Sequence, residues 1–216
     1  MYKRQDTAIV GNIPEYGLES LAAAGIVGSF LSMLIWILGQ TRSAISALIS
    51  QYLGAGKLEE IKTLPAQAIF FNILLSVIIL LSTIFIADDI FRLLEASGKI
   101  LEFCISYYGI RVWGFPLTLF TFAIFGIFRG LQNTVWPMWI AIVGALLNVV
   151  LDLVLVYGIE GFIQPMHLEG AAWASLISQG AMALLSFILL LWKTDISLRL
   201  KFPVHHELGR LSLIHI

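Results

Sequence analysis

Residues 138–157 read MWIAIVGALLNVVLDLVLVY, an apolar stretch long enough to cross a bilayer that carries one acidic side chain, Asp152. A carboxylate in hydrocarbon costs roughly 2.5–3.5 kcal/mol on insertion scales, so such a residue faces the inside of a helix bundle and often marks an ion or proton path. Asn148 lies one helical turn earlier on the same face. A carboxylate and an amide oxygen suit a hard cation such as Na⁺, and a proton is the alternative occupant. A buried Asp that hydrogen-bonds to neighbouring helices is the structural alternative.

The rest of the chain has the same apolar character. Its 216 residues are 59% hydrophobic and 12% charged, which is about half the charge of an average soluble domain. Several apolar stretches reach the length that crosses a bilayer, so we predict an all-α integral membrane protein. The net charge of −1 gives no indication of nucleic-acid binding, and the single Cys104 excludes an internal disulfide and a multi-cysteine metal site. The sequence contains no nucleotide-binding loop, nucleophile motif or zinc motif, so we predict neither an enzyme nor a cofactor.

Six helices are predicted from the apolar stretches and the Gly, Pro and polar residues between them. The first is a short segment at residues 6–10, the end of a helix whose start is missing. The others lie at 19–52, 65–87, 100–128, 135–157 and 169–192, with a bend near Pro116 and a partly helical interfacial connection after residue 87. Small residues at helical spacing predict close helix packing. They are Ala22, Gly25 and Ser29; Gly126 and Gly130; and Ala171, Ala174 and Ser178.

Basic residues between the helices predict the orientation, because they favour the cytoplasmic side. One set of connections contains Lys57, Lys62, Arg129, Lys193, Arg199 and Lys201. The opposite set holds Arg92 and Lys99 among the acids Glu15, Glu19, Asp88, Asp89, Glu95, Glu160 and Glu169. We therefore predict that the first set is cytoplasmic.

The two ends of the chain differ from the rest. Residues 2–5, YKRQ, and residues 211–216, LSLIHI, correspond to the two translations of one short inverted repeat. That repeat resembles the transposon end used in sequencing libraries. We expect 1–5 and 211–216 to be adapter sequence, with the natural chain at 6–210 cut at both sides, and exclude these ends from the fold prediction.

Other residues are candidates for chemistry, each with a structural alternative. Asp6 lies near the end of the first helix, where it is either a site residue or an acid in water. Ala171 and Ser175 begin the last helix and offer a carbonyl and a hydroxyl, or simply pack against a neighbour. Arg111 lies within a span and must pair with an acid, face water or extend to the interface.

Five motifs occur in an order and at a spacing that resemble the N-terminal half of the multidrug and toxin extrusion (MATE) family, in the bacterial branch typified by DNA-damage-inducible protein F. They are DTAIVG at 6–11, SQYLGAG at 50–56, RGLQNT at 129–134 followed by Pro137, Asn148-x-x-x-Asp152, and GAAxAS at 170–175. The resemblance implies a six-helix N-terminal lobe of a twelve-helix transporter, with the first helix truncated and the C-terminal lobe of the same chain missing.

The resemblance also implies a function and a site. It implies an ion-coupled antiporter in the bacterial inner membrane that takes up Na⁺ or H⁺ and exports organic, often cationic, drugs or toxins by alternating access. The cation- or proton-binding residues it implies are Asp6, Asn148, Asp152, Ala171 and Ser175, with Ser replacing the family's usual Thr at 175. No metal is expected beyond Na⁺ there. A lipid-linked oligosaccharide flippase of the same superfamily, which often has a more cationic cavity, and an inactive membrane fragment remain the alternatives.

Overall fold

The computed structural model describes residue 11, residues 16–159 and residues 161–194, without the side chains of 58–60. The predictions for residues 1–5, 6–10 and 211–216, Asp6 included, lie outside this part. Within it the chain forms an α-helical bundle, which confirms the predicted all-α fold. The helices are α1 (Gly17–Leu38), α2 (Gln40–Gly54), α3 (Leu58–Ile84), α4 (Ala87–Leu93), α5 (Gly98–Arg111), α6 (Gly114–Gly130), α7 (Val135–Tyr157) and α8 (His167–Lys193).

The described helices are long and apolar enough for four membrane spans, or five if α5 and α6 form one bent span. One of the four is the 38-residue segment Gly17–Gly54, which contains α1 and α2. Residues 19–52, predicted as one helix, lie within this segment, in which a turn at Gly39 separates α1 from α2. There the N–H of Arg42 donates to the carbonyl of Gly39 at 3.2 Å, the tighter i→i+3 pattern of a 3₁₀ turn.

Two proline positions alter the predicted helices. Helix α3 begins at Leu58 and runs through Pro65, so the predicted start at residue 65 is wrong by about two turns. The bend predicted near Pro116 lies between α5 and α6, whose axes differ by 46°. Proline lacks an N–H and its ring crowds the carbonyl four residues earlier, here Val112, so the helix breaks one turn before the proline.

Helix α6 lies at the centre of the bundle and packs against α2, α3 and α8, while α7 packs mainly against α8 and α1 against α5. Gly126 and Gly130 permit the close approach of α2, as predicted from their spacing. A Cβ at Gly126 would lie 2.7 Å from the Arg42 carbonyl oxygen, and one at Gly130 would lie 2.6 Å from Ile49 Cβ. The same prediction is wrong for Gly25, which is exposed with open space around it.

Candidate functional site between α7 and α8

Helix α7 has one buried face, which runs along its whole length. The buried residues recur at every third or fourth position, the spacing of one helix face: Pro137, Ile140, Gly144, Asn148, Asp152 and Val156. Most of the remaining large side chains of α7 are exposed on the surface of the bundle. Two polar residues therefore lie in the middle of an otherwise apolar face, where an apolar side chain would be expected from packing alone.

Glycines bring this face into close contact with α8. A Cβ at Gly170 would lie 2.5 Å from the carbonyl oxygen of Leu155, and one at Gly144 would lie 2.2 Å from Met182 Sδ. These two contacts also show that the helices are antiparallel, because Gly144 meets the later part of α8 and Leu155 meets its beginning. Asn148 and Asp152 consequently lie opposite the segment of α8 between Gly170 and Met182.

Four of the five residues predicted for the site lie in or beside this interface. Asp152 is 0% exposed and Asn148 is 5% exposed, and Ala171 and Ser175 of α8 are buried as well. Ala171 belongs to the same hydrophobic cluster as Val156, at the end of the interface beyond Asp152. The structure does not describe the fifth residue, Asp6, so its distance from Asp152 stays untested.

A small cavity, partly open to the outside of the bundle, lies at this interface. Its volume is about 70 Å³, several times the roughly 10–15 Å³ that one water requires. The lining residues are Arg111, Gly144, Asn148, Ser175, Ser178, Gln179 and Met182. Asp152 is not among them and lies one helical turn from Asn148 along the buried face of α7. The cavity therefore joins two of the predicted site residues to a set of polar groups from α5 and α8.

Several polar atoms around the cavity have no hydrogen-bond partner within the part of the chain that the structure describes. They are the Asn148 Nδ2, the Arg111 Nε and the Gln179 Oε1. The Ser178 hydroxyl, in contrast, donates to the Ser175 carbonyl oxygen at 3.0 Å. A buried polar group without a partner costs about 1–3 kcal/mol, so such groups normally meet water, an ion or a ligand. The arrangement is typical of a site that holds a polar occupant.

Arg111 reaches the cavity because α5 ends at this residue, just before the 46° bend. Its guanidinium carbon lies 5.9 Å from the centre of the Tyr107 ring, one turn earlier on the same helix. The side chain is half-buried, its Nε is buried, and it lines the cavity together with Asn148 and Ser175. Arg111 thus lines a polar cavity between the helices.

The sequence does not predict Gln179 as a cavity residue, and it predicts Ser178 only as a packing residue. Both belong to a polar row on α8, Ser175, Ser178 and Gln179, at the three- and four-residue spacing of one helix face. The Gln179 amide packs against Gly114, at the bend between α5 and α6. A Cβ at Gly114 would lie 2.0 Å from Gln179 Oε1. The polar row was visible in the sequence, but the contact with Gly114 depends on how distant helices pack.

Two other features of the described residues do not form a competing site. A more open depression of about 480 Å³ lies over the loop after α7, from Tyr157 to Pro165. Its described lining carries no acid or base other than the Tyr157 phenol. Among the residues that the structure describes, no group of three His, Cys, Asp or Glu side chains is arranged to hold a metal ion. The α7–α8 interface is thus the best-supported site in this part of the chain.

Comparisons with known proteins agree with this fold. The profile of the MatE family matches residues 1–154, a segment that includes Asn148 and Asp152. Multidrug export protein MepA of Staphylococcus saprophyticus is 29% identical over 148 residues, which is 68% of this chain and 32% of that protein. DNA damage-inducible protein F of Escherichia coli K12 is 28% identical over 186 residues, which is 85% of this chain and 39% of that protein.

A solved structure shows the same helix arrangement. The crystal structure of MATE in the bent conformation superposes with a TM-score of 0.87 at 26% identity, over 98% of this chain and 47% of that one. The chain thus spans about half the length of that structure and between 32% and 39% of the two curated relatives. Because the family profile matches more than half of its residues and the fold agrees, the chain belongs to the MatE family of membrane transporters.

Proposed function

We propose that this chain acts as the N-terminal lobe of an ion-coupled antiporter, which takes up Na⁺ or H⁺ and exports organic, cationic drugs or toxins across the bacterial inner membrane. The observation that carries the proposal is the fully buried Asp152, in a helix long enough to span a membrane and one turn from the cavity residue Asn148. A charged residue at such a depth is expensive and is typical of ion and proton paths. The name of the relative MepA, a multidrug export protein, agrees with the proposed substrate class.

The antiport mechanism follows from the charge of this site. An ion that enters from outside neutralises Asp152, and Asp6 if it lies close by, which weakens electrostatic attraction for a cationic substrate and favours its release. The lobe then rocks against a second lobe so that the site faces inward, where the ion leaves and the substrate binds. A ligand shifts such an equilibrium only through its different affinity for the two states, and the buried carboxylate supplies that difference.

Asn148, Ala171 and Ser175 are assigned supporting roles in this proposal. The Asn148 amide, the Ser175 hydroxyl and the Ala171 carbonyl add oxygen atoms at the same interface as Asp152. Oxygen ligands are those that hard cations prefer, and a protonated Asp152 could also donate to one of them. These groups therefore suit either of the two coupling ions.

The test is export of ethidium from cells that express the complete reading frame containing this chain, with imposed Na⁺ and H⁺ gradients in turn. Asp152→Asn removes the charge and keeps the size of the side chain, so we expect gradient-driven export to be lost while the protein still inserts into the membrane. Asp88→Asn is the matched control, because Asp88 is exposed and pairs with Arg92 at 2.5 Å far from the cavity. That variant should export at the natural rate.

Full export by Asp152→Asn would overturn the proposed coupling site. Absence of ethidium export by the natural protein under both gradients would instead reject the cationic-drug substrate. A lipid-linked oligosaccharide would then be the next substrate class to test.

A further inference from the structure

The position of Arg111 bears on which ion the site accepts. Arg111 lines the same cavity as Asn148 and Ser175, two of the groups assigned to the cation site. An arginine side chain stays protonated in proteins and offers donors but no acceptor. A Na⁺ ion in this cavity would therefore lie beside a fixed positive charge, with donors where it requires oxygen atoms.

Few charged groups around the cavity compensate that charge. The titratable and charged groups near it in the described residues are Arg111 and Tyr107 from α5 and Asp152 from α7. Gly114 of α6 and the polar row of α8 contribute uncharged groups. Glu169, in the first turn of α8, is exposed and accepts a hydrogen bond from the Ser106 hydroxyl at 2.5 Å. Among the described residues, Arg111 thus supplies the positive charge at the cavity, and the buried Asp152 lies one helical turn beyond Asn148 on α7.

We propose that Arg111 is the specificity-determining residue that excludes Na⁺ from this cavity, so that the coupling ion is the proton. This inference rests on the proposed function and selects between the two ions that it leaves open. An ionised Asp152 offsets the charge of Arg111, so that a cationic substrate is tolerated nearby. When the carboxylate takes up a proton from the outside water, the charge of Arg111 is left uncompensated and repels that substrate. The proton returns to water on the inner side.

The expected consequence is that removing the charge of Arg111 opens the site to Na⁺. The experiment measures saturable binding of radioactive Na⁺ to the purified complete protein in detergent, for the natural protein and for Arg111→Gln. We expect Arg111→Gln to bind Na⁺ at least about tenfold more tightly than the natural protein, because a like charge that lines the same cavity is removed. Adding Asp152→Asn to Arg111→Gln should abolish that binding.

Two control variants distinguish the positive charge at position 111 from the shape of the Arg111 side chain and from the net charge of the protein. Arg111→Lys keeps the positive charge with a different shape and should exclude Na⁺ as the natural protein does. Arg92→Gln makes the same substitution at an exposed position near the surface and should leave Na⁺ binding unchanged. Na⁺ binding by Arg111→Lys at the level of Arg111→Gln would contradict a role for the charge.

Saturable, Asp152-dependent Na⁺ binding by the natural protein, as tight as in Arg111→Gln, would overturn the inference, as would a folded Arg111→Gln variant with no gain. If Arg111→Gln does not fold, Na⁺ binding by the natural protein and by Arg111→Lys still tests the inference. Asp152-dependent Na⁺ binding by either contradicts the role of Arg111, and its absence in both supports it. Ethidium export is scored separately, so the absence of export rejects the proposed function without affecting this comparison.

Discussion

The α2–α6 and α7–α8 interfaces both use glycine to bring two helices together, but they enclose different chemistry. At α2–α6, Gly126 and Gly130 lie against the backbone of α2 and its isoleucines, and the contact is largely apolar. At α7–α8, Gly144 and Gly170 make equally close contacts, yet the segment between them holds Asn148, Asp152 and a polar cavity.

We expect this difference to separate an interface that serves stability from one that serves the proposed function. Apolar side chains packed against glycine give favourable contacts at α2–α6, and its polar groups have local contacts: the Ser50 hydroxyl donates to the Gly130 carbonyl oxygen at 3.2 Å and the Arg42 guanidinium carbon lies 5.2 Å from the centre of the Phe122 ring. Polar atoms without partners in the described residues reduce stability, so a site that retains several of them needs another reason to exist. Substitutions at α2–α6 should therefore change stability, and substitutions at α7–α8 should change ion coupling.

The largest effect is expected for Gly126→Leu at α2–α6. The new side chain would meet the Arg42 carbonyl oxygen, a backbone atom that cannot rotate away. Overpacking of this kind costs typically about 1–3 kcal/mol, so we expect a clear fall in the temperature at which the purified protein loses its monodisperse state. Gly25→Leu is the matched control, since Gly25 has open space around it and should tolerate the same change. Equal losses for both variants would contradict the assigned role of the α2–α6 contact.

A smaller and different effect is expected for Ser175→Ala at α7–α8. Loss of the hydroxyl removes one polar group from the cavity, and one hydrogen bond is worth about 0.5–1.5 kcal/mol. Ion-driven export should fall by up to about tenfold while the thermal stability changes little. Ser175→Thr keeps the hydroxyl and should export at close to the natural rate. An Ala variant that exports like the Thr variant would remove Ser175 from the site.

The smallest effect on stability is expected for Gly114→Ala. Its methyl group would displace the Gln179 amide from its present position, but that side chain is flexible and the cost should stay below about 1 kcal/mol. Ion-driven export should fall measurably although thermal stability changes little, because the cavity loses one of its polar groups. Gly109→Ala on α5 has open space and is the control. A decrease in stability without a change in export would make Gln179 a packing residue only.

Much of this fold and part of the site could be predicted from the sequence. Helix α7 has the predicted limits, and Asn148 and Asp152 lie on its buried face because spacing within one helix fixes which residues share a face. The break at Gly39 was missed because it depends on local hydrogen bonding rather than on apolar pattern. Gln179 and Arg111 meet at one cavity because of the α5–α6 bend and the rotation of α8, neither of which a single helix encodes.

The central claim is that an ion and a cationic substrate exchange at Asp152. Its most direct measurement is ion release when ethidium binds to the purified complete protein in weakly buffered detergent, with a pH electrode for H⁺ and a radioactive tracer for Na⁺. Because linkage is reciprocal, the account predicts that ethidium releases about one ion from the natural protein and none from Asp152→Asn. Equal release from both proteins, or ethidium binding by the natural protein without any release, would contradict it.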